Sequence, residues 1–310
     1  MLKQVQIDTS SNCGSKCWFC PVRYIDRSSN AVMPVPMFES ILRQVTELRE
    51  EGIADANVTL WLAAYGDLLL DPHLEERLSL LRKFRYKIPI ITNAIGLMPK
   101  IDLLHKYKDV VGNFSINVPA GNEEDYTKHT MNSALIFRRV IAAISQLYYK
   151  DPEHYAKTLK VNVNGAYTHD VCGRSQLKYP LPDNDTDKQV AQLKELLPML
   201  PVSDARPLCD RAGLLRDFAI DNSVPANRKN WKLPEDAIRA SGCNGGDRLS
   251  SWIHVTSRGS LIGCCQDYLE ATAFGSLDTN TIKQLWFSHE RQVMIEEALE
   301  TICLQCQFSR

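Results

Sequence analysis

The chain is 310 residues long, enough for one large domain, or a large and a small one, around a real core. Its 44% hydrophobic and 24% charged residues are ordinary for a globular protein, and a formal net charge of −1 leaves no electrostatic footprint for nucleic acid or an anionic membrane. No apolar run reaches the length of a membrane span and the opening MLKQVQIDTSSN has no apolar export segment, so a cytoplasmic location is expected.

In chain order, VQID (5–8) reads as a short strand leading directly into three cysteines, Cys13, Cys17 and Cys20. Met37, Phe38, Ile41, Leu42, Val45 and Leu48 then recur at helical spacing. NVTLWLA (57–63) is β-branched and apolar, and 73–84 is again helical in pattern. KIPIIT (87–92), VVGNFSIN (110–117) and LKVNVN (159–164) read as further strands, with a long helix over 134–149 before the last of them. Thr186 and Gln189 have capping-box spacing and open a helix with Val190, Leu193, Leu197 and Leu200 on one face. PVSDARPL (201–208) is a sixth, short strand. Repeated strand–helix units imply an α/β fold with a parallel sheet, open or curled into a partial barrel. After about residue 213 the pattern breaks, and 221–242 mixes Pro, Asn and charge as long loops do. SWIHVTSRGSLIGCC then gives two short strands about Arg258-Gly259, a hairpin, followed by helices at 282–286 and 290–299.

Ten cysteines are unusual for such a chain, and they are placed unevenly. Three lie at the start; Cys243, Cys264, Cys265, Cys303 and Cys306 lie at the end, with only Cys172 and Cys209 between. Clustered thiols in a chain with a large core point to metal or redox chemistry rather than disulfides. A closed zinc site needs four ligands, and no His lies near the first triplet to complete one. Three thiolates on a cubane leave one iron open for a substrate or cofactor. The alternative is a non-enzymatic zinc protein binding a partner through two thiolate-rich lobes.

The spacing Cys13-x3-Cys17-x2-Cys20, with Phe19 in the aromatic place, resembles the signature of the radical S-adenosylmethionine (SAM) superfamily. AAYGDLLLDPHL (63–74) resembles the Gly-Gly-Glu-Pro element of that superfamily, with Gly66 and Asp67 in the Gly-Glu places and Leu68 for the proline. ITNAIGL (91–97) resembles its Thr-Asn-Gly strand end, and FSINVP (114–119) its Ser-rich one. The resemblance implies a partial (β/α)6 TIM-like barrel. It also implies a [4Fe–4S] cluster on Cys13, Cys17 and Cys20, and SAM contacts at Phe19, Gly66, Asp67, Thr92, Ser115 and Asn117. In that superfamily the reduced cluster cleaves SAM to a 5′-deoxyadenosyl radical that abstracts a hydrogen atom. An external reductant such as flavodoxin or ferredoxin supplies the electron.

The C-terminal pattern, Cys243-x15-Gly259-x4-Cys264 and then Cys303-x2-Cys306, resembles the SPASM and shorter twitch extensions of these enzymes. It implies a small domain of a β-hairpin plus helix in which Cys243, Cys264, Cys303 and Cys306 hold an auxiliary [4Fe–4S] cluster; Cys264 is preferred to Cys265 only by the Gly-x4-Cys rule. The implied division is a radical SAM core over 1–215, a linker over 216–242 and the cluster domain over 243–310, of twitch length because the chain ends at Arg310. The chain begins a dozen residues before Cys13, leaving no leader-binding domain. A small polar substrate, or a peptide presented by a separate protein, is therefore expected, with oxidation as the outcome. A redox-neutral epimerase, which would need a hydrogen donor such as Cys172, Cys209 or Cys265, and a peptide cross-linking enzyme are the alternatives within the same core. Asn162 and Asn164 on the fifth strand, and Arg206, Asp210 and Arg211 after the sixth, are candidate substrate contacts. An RNA substrate fits poorly with the neutral charge.

Overall fold

Strand alternation sorts the N-terminal strand at once: Val5 and Ile7 are fully buried, whereas Gln4 and Gln6 share the opposite face. The computed structural model describes residues 1–17, 20, 31–62, 65–163, 186–204, 238–243, 248–265, 267 and 270–305. The chain divides into two units, Met1–Ser11 with Ile25–Tyr65 and Gly213–Arg310, and Asn12–Tyr24 with Gly66–Ala212.

The first unit is built on a five-stranded sheet of order β2-β1-β7-β8-β9. Strands β1 (Leu2–Ile7), β2 (Ala54–Trp61) and β7 (Trp252–Val255) run parallel, and β8 (Ser260–Ile262) and β9 (Ala273–Ser276) continue antiparallel. Register places Val5 beside Leu60 and Ile253, and Ile7 beside Val255, giving one apolar face. Helix α1 (Val35–Glu50) buries Phe38, Ile41, Leu42, Val45 and Leu48 at helical spacing. The other sheet face carries Gln6 beside Trp61 and His254. Gly259, at φ +85°, makes the β7–β8 turn, and a Cβ there would lie 3.0 Å from the Met37 methyl on α1. Helix α1 is also tied to the C-terminal region: Gln44 Oε1 accepts from the Ile282 N–H at 2.7 Å.

The second unit carries a parallel sheet of order β3-β4-β5-β6, from Ile88–Thr92, Val111–Val118, Leu159–Val163 and Val202–Asp204. Ile90, Phe114, Ile116, Val118, Val161 and Val163 are buried on one face. Helix α5 (Ala134–Lys150) buries Phe137, Val140, Ala143, Ile144 and Leu147, and α6 (Pro152–Thr158) lays Tyr155 edge-on to Phe114 at 5.8 Å. The opposite face is polar and half-buried, with Ser115, Asn117 and Asn162. Helix α2 (Leu74–Lys83) follows the turn after β2, and α3 (Ile101–Lys106) and α4 (Glu123–Thr130) follow β3 and β4. Helix α7 (Thr186–Leu196) packs by its buried Leu193, with Leu197 just beyond its end.

The expected strands, the long helices and the hairpin are all present, with ends shifted by a few residues. The short polar helices α3, α4 and α6 and strand β9 carry too little apolar period to be read from sequence. Gln189 Oε1 accepts from the Gly121 N–H and its Nε2 donates to Asp125 Oδ2 at 2.7 Å; the Thr186 side chain of the expected capping box lies outside the described residues. A capping box does form at Thr281 and Gln284, which open α9 (Ile282–Trp286).

The start of α2 is set by a fully buried ion pair, Arg77 Nε donating to Asp71 Oδ2 at 2.6 Å. Asp71 Oδ1 also accepts from the His73 N–H at 2.8 Å, fixing the Pro-containing turn. Asp71→Ala would strand the guanidinium in the interior, and a loss of about 3–5 kcal/mol is expected. Urea unfolding checks this: an unchanged midpoint would show that the pair contributes nothing net.

Candidate radical SAM site

The cysteine loop follows β1, and backbone and polar side-chain hydrogen bonds anchor its described residues. The Asp67 N–H donates to the Asn12 carbonyl at 2.7 Å, the Lys16 N–H to the Thr130 carbonyl at 3.1 Å, and the Cys20 N–H to the Cys17 carbonyl at 3.0 Å. Cys13, Cys17 and Cys20 are each half-buried and free of disulfides. Asn93 Nδ2 donates to Cys13 Sγ at 3.5 Å and lies 3.4 Å from Ser15 Oγ, which also receives Asn132 Nδ2 at 3.1 Å.

Asp67 is the centre of this arrangement. Its carboxylate is buried and accepts from Thr92 Oγ1 at 2.8 Å, the Asn93 N–H at 3.0 Å and the Leu69 N–H at 3.0 Å. Burial outweighs these hydrogen bonds and raises its pKa above the ordinary carboxylate value. Thr92 Oγ1 in turn accepts from the Ala94 N–H at 2.9 Å. Ala94 stands where the family element has Gly, and its φ of +62° accounts for that preference.

The other expected SAM contacts separate by face. Thr92 pairs in register with Ile116 on the buried face, and its hydroxyl is spent on Asp67. Ser115 and Asn117 lie on the half-buried polar face, where Ser115 Oγ accepts from Asn162 Nδ2 at 2.7 Å. Gly66 immediately precedes Asp67 in the turn after β2; Phe19 lies outside the described residues. Asn93, which sequence reasoning passed over, is the strand-end residue that reaches a cysteine. Its signal was present in the Thr-Asn element but could not be weighed without register.

Of the C-terminal cysteines, Cys243, Cys264 and Cys265 are half-buried, and Cys303 is buried in the turn Ile302–Gln305 after α10 (His289–Glu300). Cys306 lies outside the described residues, as do Cys172, Cys209, Asn164, Arg206, Asp210 and Arg211. Arg248, on the short helix α8 (Arg248–Ser251), reaches Cys265 Sγ with Nη1 at 3.5 Å. Burial alone would lower its pKa; the nearby Cys265, Cys264 and Cys243 sulfurs outweigh that and raise it. Beside the hairpin, the Tyr65 hydroxyl donates to the Asp267 carbonyl at 2.6 Å. The Tyr65 ring lies 5.3 Å from that of His254, whose two nitrogens are buried without hydrogen-bond partners. Burial pushes His254 down to about 3, so it is neutral.

The donors suit a cluster better than a single ion. Burial pushes the Cys17 thiol up, and the adjacent Cys20 and Cys13 push in the same direction, so three thiolates here need a strong positive partner. Among the described residues, no group of three His, Cys, Asp or Glu side chains converges as the ligands of one metal ion. Thiolates on separate irons of a cubane need not converge on one point.

The chain is thus an α/β protein with three thiols in the loop after β1 and a second thiol group about a hairpin, a pattern suited to iron–sulfur clusters. Residues 7–148 match the family model of the radical SAM superfamily, and residues 243–307 match the SPASM iron–sulfur cluster-binding domain; the chain belongs to the radical SAM superfamily and carries a C-terminal SPASM domain. Its cofactors are SAM and [4Fe–4S] clusters. Its fold class is the α/β partial TIM-like barrel of that superfamily.

Solved structures agree on the fold. BtrN in complex with AdoMet and 2-DOIA aligns at TM-score 0.53 and 14% identity, over 100% of this chain and 93% of that one. Native anSMEcpe with bound AdoMet aligns at 0.55 and 16%, over 99% and 88%. Streptococcus suis SuiB bound to S-adenosylmethionine aligns at 0.54 and 14%, over 99% and 71%. No curated protein matches the chain.

The raised pKa of Asp67 has a directional consequence. The native carboxyl keeps its proton to higher pH than the unfolded one, so its contribution to stability is greatest below the ordinary Asp value and falls as pH rises through the raised native value. Asp67→Asn removes that titration. Wild type should therefore lose stability relative to the variant across this window, measured by denaturant unfolding at a series of pH values. A constant difference would show that the carboxyl titrates normally.

Proposed function

We propose that this enzyme removes a hydrogen atom from a small polar substrate or a peptide and that the outcome is oxidation. The observation that carries the reading is the Cys13–Cys20 loop held by Asn93 and Asp67, within a segment that matches the radical SAM family model. When bound, a cluster held by Cys13, Cys17 and Cys20 would supply one-electron reduction, and SAM the group that takes the substrate hydrogen.

The residues of this chain prepare that event. Cys13, Cys17 and Cys20 hold the first cluster, leaving the position that SAM fills. Asn93 donates to the Cys13 sulfur and steadies its charge. Asp67 acts chiefly through position: three donors occupy its carboxylate, and through them it fixes Asn93 and the loop backbone. Gly66, Ser115 and Asn117 contact SAM, with Phe19 and Thr92 completing the expected set. The face of Ser115, Asn117 and Asn162 offers hydrogen bonds to a polar substrate, and Lys160, in register with Ser115, adds a cation on the same face.

Cys243, Cys264, Cys303 and Cys306 hold one auxiliary cluster within 243–310, joined through 216–242 to a core of 1–215. A closed four-thiolate cluster suits electron acceptance, which is why oxidation is preferred. The peptide alternative has its own support, because native anSMEcpe with a bound peptide aligns at TM-score 0.56. A flavodoxin- or ferredoxin-like protein supplies electrons. A reducing cytoplasm would keep the thiols available as cluster ligands.

Anaerobic reconstitution followed by dithionite and SAM should yield 5′-deoxyadenosine, and replacing Cys13, Cys17 and Cys20 together by Ala should abolish it while one cluster's iron remains. Product formed at wild-type rate by that triple variant would overturn the assignment. Candidate small polar molecules and peptides, tested for stimulated product formation, separate the two substrate classes.

A further inference from the structure

The sulfurs at the hairpin have a fixed cation built in beside them. Arg248 lies 3.5 Å from Cys265 Sγ and within electrostatic reach of Cys264 and Cys243. A guanidinium cannot be deprotonated in a protein, so this charge is permanent.

Its position is also fixed. The guanidinium stacks over the Trp252 ring at 4.8 Å. The helix that carries it is clamped by a second arginine: Arg291 on α10 donates Nη2 to the Leu249 and Ser250 carbonyls at 3.0 Å each. Arg291 itself is buried against Trp286, 3.8 Å from the ring centroid. Two stacked arginines in series therefore place one charge at Cys265, the neighbour of the proposed ligand Cys264, and within electrostatic reach of Cys264 and Cys243.

We propose that Arg248 is a positioning residue that raises the reduction potential of the auxiliary cluster. Reduction adds a negative charge to the cluster, and a nearby partly desolvated cation stabilises that more reduced state; net charge and hydrogen bonds to sulfur are among the protein's means of setting such potentials. The inference rests on the reading of Cys243, Cys264, Cys303 and Cys306 as the auxiliary ligands. It deepens that reading by giving the second cluster the electrostatics of an electron acceptor.

The test uses full-length protein with Cys13, Cys17 and Cys20 replaced by Ala, so that only the auxiliary cluster remains. Iron and sulfide are counted, and the cluster is titrated reductively by electron paramagnetic resonance in this parent and with Arg248→Gln or Arg248→Lys added. At a fixed potential, Arg248→Gln should lower the ratio of reduced to oxidised cluster tenfold or more, equal to about 59 mV for a one-electron couple. Arg248→Lys, which keeps the charge, should recover most of that loss. Loss of iron in Arg248→Gln but not in Arg248→Lys would equally support a charge role. A ratio unchanged in Arg248→Gln, or the same loss of ratio or of iron in both variants, overturns the proposal. A parent without iron overturns the ligand reading itself, and the proposal with it.

Discussion

The second unit depends on one buried carboxylate. Asp67 carries a charge-capable group into an interior where an unpaired carboxylate would cost several kcal/mol. It is tolerated because three donors converge on it from Thr92, Asn93 and Leu69. Each of those donors is thereby fixed in turn. Leu69 sets the turn after β2, Thr92 sets the end of β3, and Asn93 is aimed at Cys13. The Asp67 N–H meanwhile holds the Asn12 carbonyl at the start of the cysteine loop. The start of the cysteine loop is thus tied to the strand ends by hydrogen bonds. The shorter side chain in the place of the family's Glu fits this role, because Asp can bond the N–H two residues on as an Asx turn does.

What the sequence made legible follows from what local periodicity can encode. Strands such as Ile88–Thr92 and helices such as Val35–Glu50 announce themselves by alternating or helically spaced apolar residues, and the hairpin by Arg258-Gly259. The cysteine triplet is legible because metal ligation constrains spacing. Register between strands is not local, so sequence could not tell that Thr92 faces away from Ser115 and Asn117. Buried polar groups are hidden for a related reason: Arg77, Arg291 and Asp71 have the composition of surface residues, and only tertiary partners make their burial affordable. Gln189 carries the same lesson, since its contacts to Gly121 and Asp125 are tertiary and leave no mark in local spacing.

The two thiol groups solve one electrostatic problem in opposite ways. Around Cys17, the influences that oppose burial and the neighbouring thiols are hydrogen bonds from Ser15 and from the loop backbone, all neutral donors. Around Cys265 the protein contributes a guanidinium, seated on Trp252 and braced through Arg291. A cluster held there is easier to reduce. Two clusters of the same type in one chain can then have different potentials without any difference in ligand chemistry, because the difference lies in whether the surroundings offer neutral dipoles or a fixed charge. Under the proposed oxidation, a radical that must lose an electron needs an acceptor, and a cluster beside Arg248 would be electrostatically suited to that part.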